Sequence, residues 1–104
     1  MKNTYTNLSV PTLSRLIAEA VEVSSHDVLN GYQWRVLYSN GYGFSAVKHD
    51  GSYGRECDLW ELAVFRKDED GCRLVYDTPI TCDVLGWLSE DELVAAAEEI
   101  RSLQ

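Results

Sequence analysis

The strongest constraint in the chain is a run of alternating residues closed by a turn. Residues 32–38 read Tyr-Gln-Trp-Arg-Val-Leu-Tyr, which puts Tyr32, Trp34, Val36 and Tyr38 on one face of a strand. Asn40-Gly41 follows, a dipeptide suited to a type I′ hairpin, whose two central residues both need positive φ. Residues 43–49 then return as a second strand. A third strand over about 59–66 sets Trp60, Leu62 and Val64 on one face and Leu59, Glu61, Ala63 and Phe65 on the other. Lys67-Asp68-Glu69-Asp70-Gly71 is a charged turn, and a fourth strand runs from Cys72 to about Tyr76, before Pro79 removes a ladder donor.

Helices flank these strands. Ser9 can cap a first helix with Pro11 in its opening turn. Leu13, Leu16, Ile17, Ala20 and Val21 recur at helical spacing and carry that helix to about Val23, where Ser24-Ser25-His26-Asp27 interrupts the pattern. At the other end Ser89 and Glu92 make a capping box, Leu88 and Leu93 a hydrophobic staple, and Leu93, Ala96, Ala97 and Ile100 a buried stripe. The expectation is one α+β domain over 1–104. Its order is helix, four strands, helix, with the strands in an antiparallel meander, both helices on one face and the other face open.

Composition narrows the function classes. Residues 1–57 hold five acids and five bases, while residues 58–104 hold twelve acids against four bases, so the whole net charge of −8 falls in the second half. Such a surface repels phosphate backbones and favours a protein partner with a basic surface over nucleic acid. No apolar run suits a membrane span or a secretory leader, and three unpaired cysteines fit a reducing cytoplasm better than a disulfide framework.

The constellations that resemble chemistry each have a structural explanation. Cys57, Cys72 and Cys82 have no C-x-x-C spacing and read as half-buried thiols. Summing facing residues to about 138 sets Cys72 opposite Arg66 and brings Cys57 near Cys82, where His49 would complete a metal cluster; no metal or cofactor is expected. His26-Asp27 and His49-Asp50 read as turn chemistry, and Ser52 and Tyr53 beside His49 match no nucleophile motif. Gly41-Tyr42-Gly43 and Gly51-Ser52-Tyr53-Gly54 lack the Lys-Ser/Thr pair of a phosphate cradle. Asp58 and Glu61 fall on opposite faces of a strand. Asp77, Thr78 and Asp83 are an alternative polar site at the end of strand four.

What remains is surface. Trp34, Trp60 and Trp87 read as core, but Tyr42 and Tyr53 sit at loop tips, and tyrosine buries a large area at low entropic cost. The acids Asp68, Glu69, Asp70, Asp77, Asp83, Glu90, Asp91 and Glu92 read as one patch near the turn after strand three and the entry to the last helix. The expected partner site is Tyr42, Tyr53, Asp68, Glu69 and Asp70, with no catalytic residues.

Tyr53-Gly54-Arg55, Leu59-Trp60-Glu61-Leu62-Ala63-Val64 and Tyr76-Asp77-Thr78-Pro79-Ile80-Thr81-Cys82-Asp83-Val84-Leu85-Gly86-Trp87-Leu88-Ser89 resemble a pattern of small uncharacterised phage and prophage proteins over residues 53–93. The resemblance carries over no site residue. It implies a setting, the bacterial host cytosol, where small acidic phage proteins bind and inhibit host machinery, anti-CRISPR proteins among them. Two alternatives stand beside this one. One is an accessory protein that forms a homodimer through an open sheet face bearing Trp34 and Tyr38; the other is a small-molecule or minor enzymatic site near His49, Ser52 and Tyr53.

Overall fold

The computed structural model describes residues 5–75 and 84–103. The chain is α+β, with a helix at each end of an antiparallel sheet: α1 (Val10–Ile17), β1 (Ala20–Val28), β2 (Gly31–Tyr38), β3 (Tyr42–Lys48), β4 (Trp60–Asp68), β5 (Gly71–Leu74), β6 (Leu85–Leu88) and α2 (Glu90–Arg101). A single 3-10 turn, Arg55–Cys57, precedes β4. The strands lie in the order β1-β2-β3-β4-β5, and β6 pairs with β4 beyond the end of β5. The sheet therefore has six strands where four were expected.

The two extra strands have distinct causes. Helix α1 stops at Ile17 because Glu19 takes a left-handed φ of 65°, so the apolar spacing through Ala20 and Val21 belongs to a strand instead. That strand, β1, has residues 21–27 exposed on both faces, and so lacks the alternation that marks a half-buried strand. It joins β2 through Leu29 and Asn30, both at positive φ, as a type I′ hairpin requires. At the expected type I′ turn, Asn40-Gly41, only Gly41 has positive φ (87°), and its N–H bonds Tyr38 O at 3.1 Å, the geometry of a type I turn followed by a bulge. The second extra strand, β6, comes from Leu85-Gly86-Trp87-Leu88, which pairs Leu88 with Trp60 and Leu85 with Leu62.

Register assigns the faces. Tyr38, Val36, Phe44, Ala46, Trp60, Leu62 and Val64 pack with Leu16 of α1 and with Leu93, Val94, Ala97 and Ile100 of α2 in one core. The Tyr38 hydroxyl donates to Leu16 O at 2.5 Å, and burial pushes its phenol up to about 12. Tyr38 is 1% exposed and Trp34 is partly buried against the core, so both lie on the helix-covered face of the sheet rather than on an open one. The opposite face carries Arg35, Leu37, Phe65 and Lys67 instead. There Leu37 and Phe65 floor a groove of about 640 Å³, with the Arg35 guanidinium 4.9 Å from the Phe65 ring centre. In the β4–β5 hairpin Cys72 faces Lys67 rather than Arg66, because the connection is only Glu69-Asp70.

Helix α2 begins as its capping box predicts: the Ser89 N–H donates to Glu92 at 3.1 Å, and the Glu92 N–H to Ser89 Oγ at 3.2 Å. Its far end is closed by Asn40, whose amide nitrogen reaches the carbonyls of Ile100 (2.9 Å), Arg101 (3.2 Å) and Leu103 (2.9 Å) while its oxygen accepts from the Tyr42 N–H at 3.0 Å. Replacing Asn40 by Ala strands those groups in a half-buried site. The expected loss is about 1–3 kcal/mol, read as a lower midpoint in thermal or urea unfolding.

Candidate functional site

The sheet has two ends, and β4 runs from one to the other. Its C-terminal end meets the β2–β3 turn, where the Lys67 N–H donates to Gly41 O at 2.8 Å. Its N-terminal end meets β6, the start of α2 and the loop of residues 49–58. The strand from Glu61 to Asp68 separates surfaces at the two ends by about 23 Å.

Tyr42, Asp68, Glu69 and Asp70 are brought together at the C-terminal end, since Tyr42 pairs with Arg66 two residues before Asp68. Bases lie among them, and one of the three carboxylates is paired. Arg73 bonds Asp68 at 2.8 Å, Arg66 lies 5.5 Å from the Tyr42 ring centre, and Lys67 pairs with Glu22 at 3.1 Å.

Tyr53 lies at the other end. Its N–H donates to Glu61 Oε1 at 3.3 Å, and it packs so close to Gly86 that a Cβ there would come within 2.7 Å of the Tyr53 Cβ. Gly54, at φ 94°, backs onto Trp87, whose backbone nitrogen and Cα would lie 3.1 and 3.0 Å from any added Cβ. Trp87 was expected in the core, but a φ of 61° within the irregular pairing to β4 turns it outward. Tyr53 is 61% exposed and Trp87 50%, so two large aromatics on adjoining backbone segments both reach solvent.

Around them the carboxylates outnumber the bases. Among the described residues, Asp50, Glu56, Asp58, Glu61, Glu90, Asp91 and Glu92 lie at this end with Lys48 and Arg55 as the bases among them. Among the described residues, the acids of the expected patch thus form two separate groups, Asp68–Asp70 and Glu90–Glu92. The Glu90–Glu92 group is the one that lies beside exposed aromatics.

Lys48 organises this end. Its side chain is 3% exposed, and Nζ donates to Thr6 O at 2.9 Å, pairs with Asp58 at 3.4 Å and lies 4.7 Å from the Trp60 ring centre. The Thr6 N–H donates to the same Asp58 at 3.1 Å, so residues 5–9 cross over the lysine. Further along that segment the Ser9 hydroxyl donates to Glu90 at 2.6 Å, and the Thr12 hydroxyl donates to the same carboxylate. One acid therefore answers the positive ends of both helices.

These bonds keep four carboxylates ionised. Tyr5 and Asn30 hold Asp50 below its ordinary range, Ser9 and Thr12 hold Glu90 down, and Ser89 holds Glu92 down. At Asp58 burial pushes upward, but Thr6 and Lys48 outweigh it and the net direction is down.

The other candidate sites resolve into turn geometry. The Ser52 Oγ bonds the backbone N–H and C=O of His49, both at 3.0 Å, and His49 Nδ1 accepts from the Gly51 N–H at 2.9 Å, so hydroxyl and imidazole do not face each other. Cys57 and Cys72 are free and exposed, not half-buried, and no group of metal-ligating side chains forms among the described residues. Cys82, and the polar trio Asp77, Thr78 and Asp83, lie outside the described residues. Among the described residues, no helix is long and apolar enough to cross a membrane. No family model, curated protein or solved structure matches the chain.

The depressed carboxylates set a pH dependence. Near pH 4 the unfolded chain binds protons that Asp50, Asp58, Glu90 and Glu92 refuse in the fold, so their stabilisation is complete above about pH 5 and lost as pH falls through the folded values. Urea unfolding at pH 7 and pH 3 should show a lower midpoint in acid. Glu90→Gln should be less stable at pH 7 and should narrow the difference between the two.

Proposed function

We propose that this chain is a non-catalytic binding module that docks on the basic surface of another protein through the end bearing Tyr53 and Trp87. The observation that carries this reading is the pairing of two solvent-exposed aromatics with carboxylates that outnumber nearby bases and are held ionised. Aromatics of this kind supply affinity, and the surrounding charge supplies steering and choice of partner. Tyr53 and Trp87 both fall in residues 53–93, the segment that resembles small phage and prophage proteins. That resemblance supports a host-inhibiting role, in which the acidic end occupies a surface that otherwise grips nucleic acid, in the manner of anti-CRISPR proteins.

A second surface, Tyr42 with Asp68, Glu69 and Asp70, is supported by the convergence of those residues at the opposite end. Its neutralising partners Arg66 and Arg73 make it the weaker candidate for a basic partner.

Affinity purification from bacterial lysate at moderate salt tests the reading. A specific host protein should be retained, and retention should weaken about 30-fold when Tyr53 and Trp87 are replaced by Ala. Glu56→Lys with Asp91→Lys should abolish it. Glu69→Lys with Asp70→Lys should leave it intact, and the reverse outcome moves the site to the Tyr42 end. An empty eluate, or a complex indifferent to all of these changes, overturns the proposal.

A further inference from the structure

The two edges of the sheet are built differently. One edge is divided between β5 and β6, four residues each, a length that offers little to a passing strand. The other is β1, nine residues long, with residues 21–27 exposed. It contains no proline and no lysine, and its one irregularity falls between Ala20 and Glu22, leaving 22–28 in regular register with β2. Among the described residues no strand lies on its outer side.

Alternation decides which backbone groups face outward. The two-residue connection makes Val28 and Gly31 a hydrogen-bonded pair, so His26, Ser24 and Glu22 also spend their backbone groups on β2. Val23 and Ser25 therefore direct their N–H and C=O away from the sheet.

We propose that β1 pairs antiparallel with β1 of a second copy of this chain, about a two-fold axis at Ser24, joining the two sheets into one. An axis perpendicular to the sheet keeps facing residues on the same face, and full overlap of the strand then sets Ala20 opposite Val28 of the second copy. In that register Val23 and Ser25 exchange about four backbone hydrogen bonds across the axis. The same register puts Glu22, whose carboxylate also pairs with Lys67 of its own chain, opposite His26 of the second copy, twice by symmetry. Both side chains lie on the helix-free face, since they pair with Leu37 and Gln33. A carboxylate facing an imidazole is a favourable cross-strand pair, whereas moving the axis from Ser24 to residue 22 would set Glu22 against itself. Residues 1–57, which include β1, carry no net charge, so the net charge of −8 belongs to a part of the chain other than the contact strand. The contact lies on the edge away from β6 and leaves Tyr53 and Trp87 open, so a dimer presents that end twice and gains avidity toward a repeated partner surface.

Sedimentation equilibrium of the full chain over a broad concentration series tests the pairing. The wild type should be a dimer. Ser25→Pro removes an outward N–H without touching the β2 ladder, so it should remain folded by circular dichroism and become monomeric. His26→Glu should weaken the dimer about tenfold or more, and combining it with Glu22→Lys should restore it. A wild type that is monomeric throughout overturns the proposal, as does a folded Ser25→Pro dimer or a His26→Glu dimer of unchanged affinity. Should Ser25→Pro fail to fold, the exposed His26→Glu and double variants decide alone. None of these outcomes bears on lysate capture by Tyr53 and Trp87, so the two readings stand or fall separately.

Discussion

A cation buried to 3% exposure has to be answered where it stands, and Lys48 is that cation. Its ammonium draws in the Thr6 carbonyl, the Asp58 carboxylate and the face of Trp60. Each of these brings a separate piece of chain with it: the N-terminal segment, the loop before β4, and β4 itself. The N-terminal segment then delivers Ser9 and Thr12 to Glu90, which fixes α1 against the start of α2. The acid-rich end of the molecule is thus assembled around a lysine that solvent barely reaches. Its carboxylates are structural acceptors first, and their remaining charge faces outward.

Legibility in the sequence followed burial. β2, β3 and β4 were readable because each has one face in the core, and the alternation assigned Trp60, Leu62 and Val64 to it correctly. α2 was readable because its start is a local exchange between Ser89 and Glu92 that needs no tertiary context. β1 was not, because a strand exposed on both faces imposes no period on its side chains. The overlooked signal was Asn30-Gly31, a turn dipeptide as strong as Asn40-Gly41. β6 was hidden by its length and by the irregularity at Trp87.

The candidate site was legible only in part. Tyr53 was identified from its place in a glycine-rich loop, but its neighbour Trp87 was assigned to the core on residue type alone. Only the backbone conformation at 86–88 decides which way that ring faces. Counting charge along the chain located the acidic half but could not divide it. The division depends on β4 carrying the turn of Asp68–Asp70 to one end while β6 returns the chain to the other.

The joint between Ser9 and Glu90 spans 81 positions of sequence. Its closure costs about 3 kcal/mol more than that of the hairpins joining β1 to β2 and β2 to β3, which form between neighbours. Folding of this chain is accordingly ordered by contact distance: the meander can assemble early, and the two termini lock together late. The Ser9–Glu90 joint at the end that carries the exposed aromatics therefore belongs among the later contacts of folding.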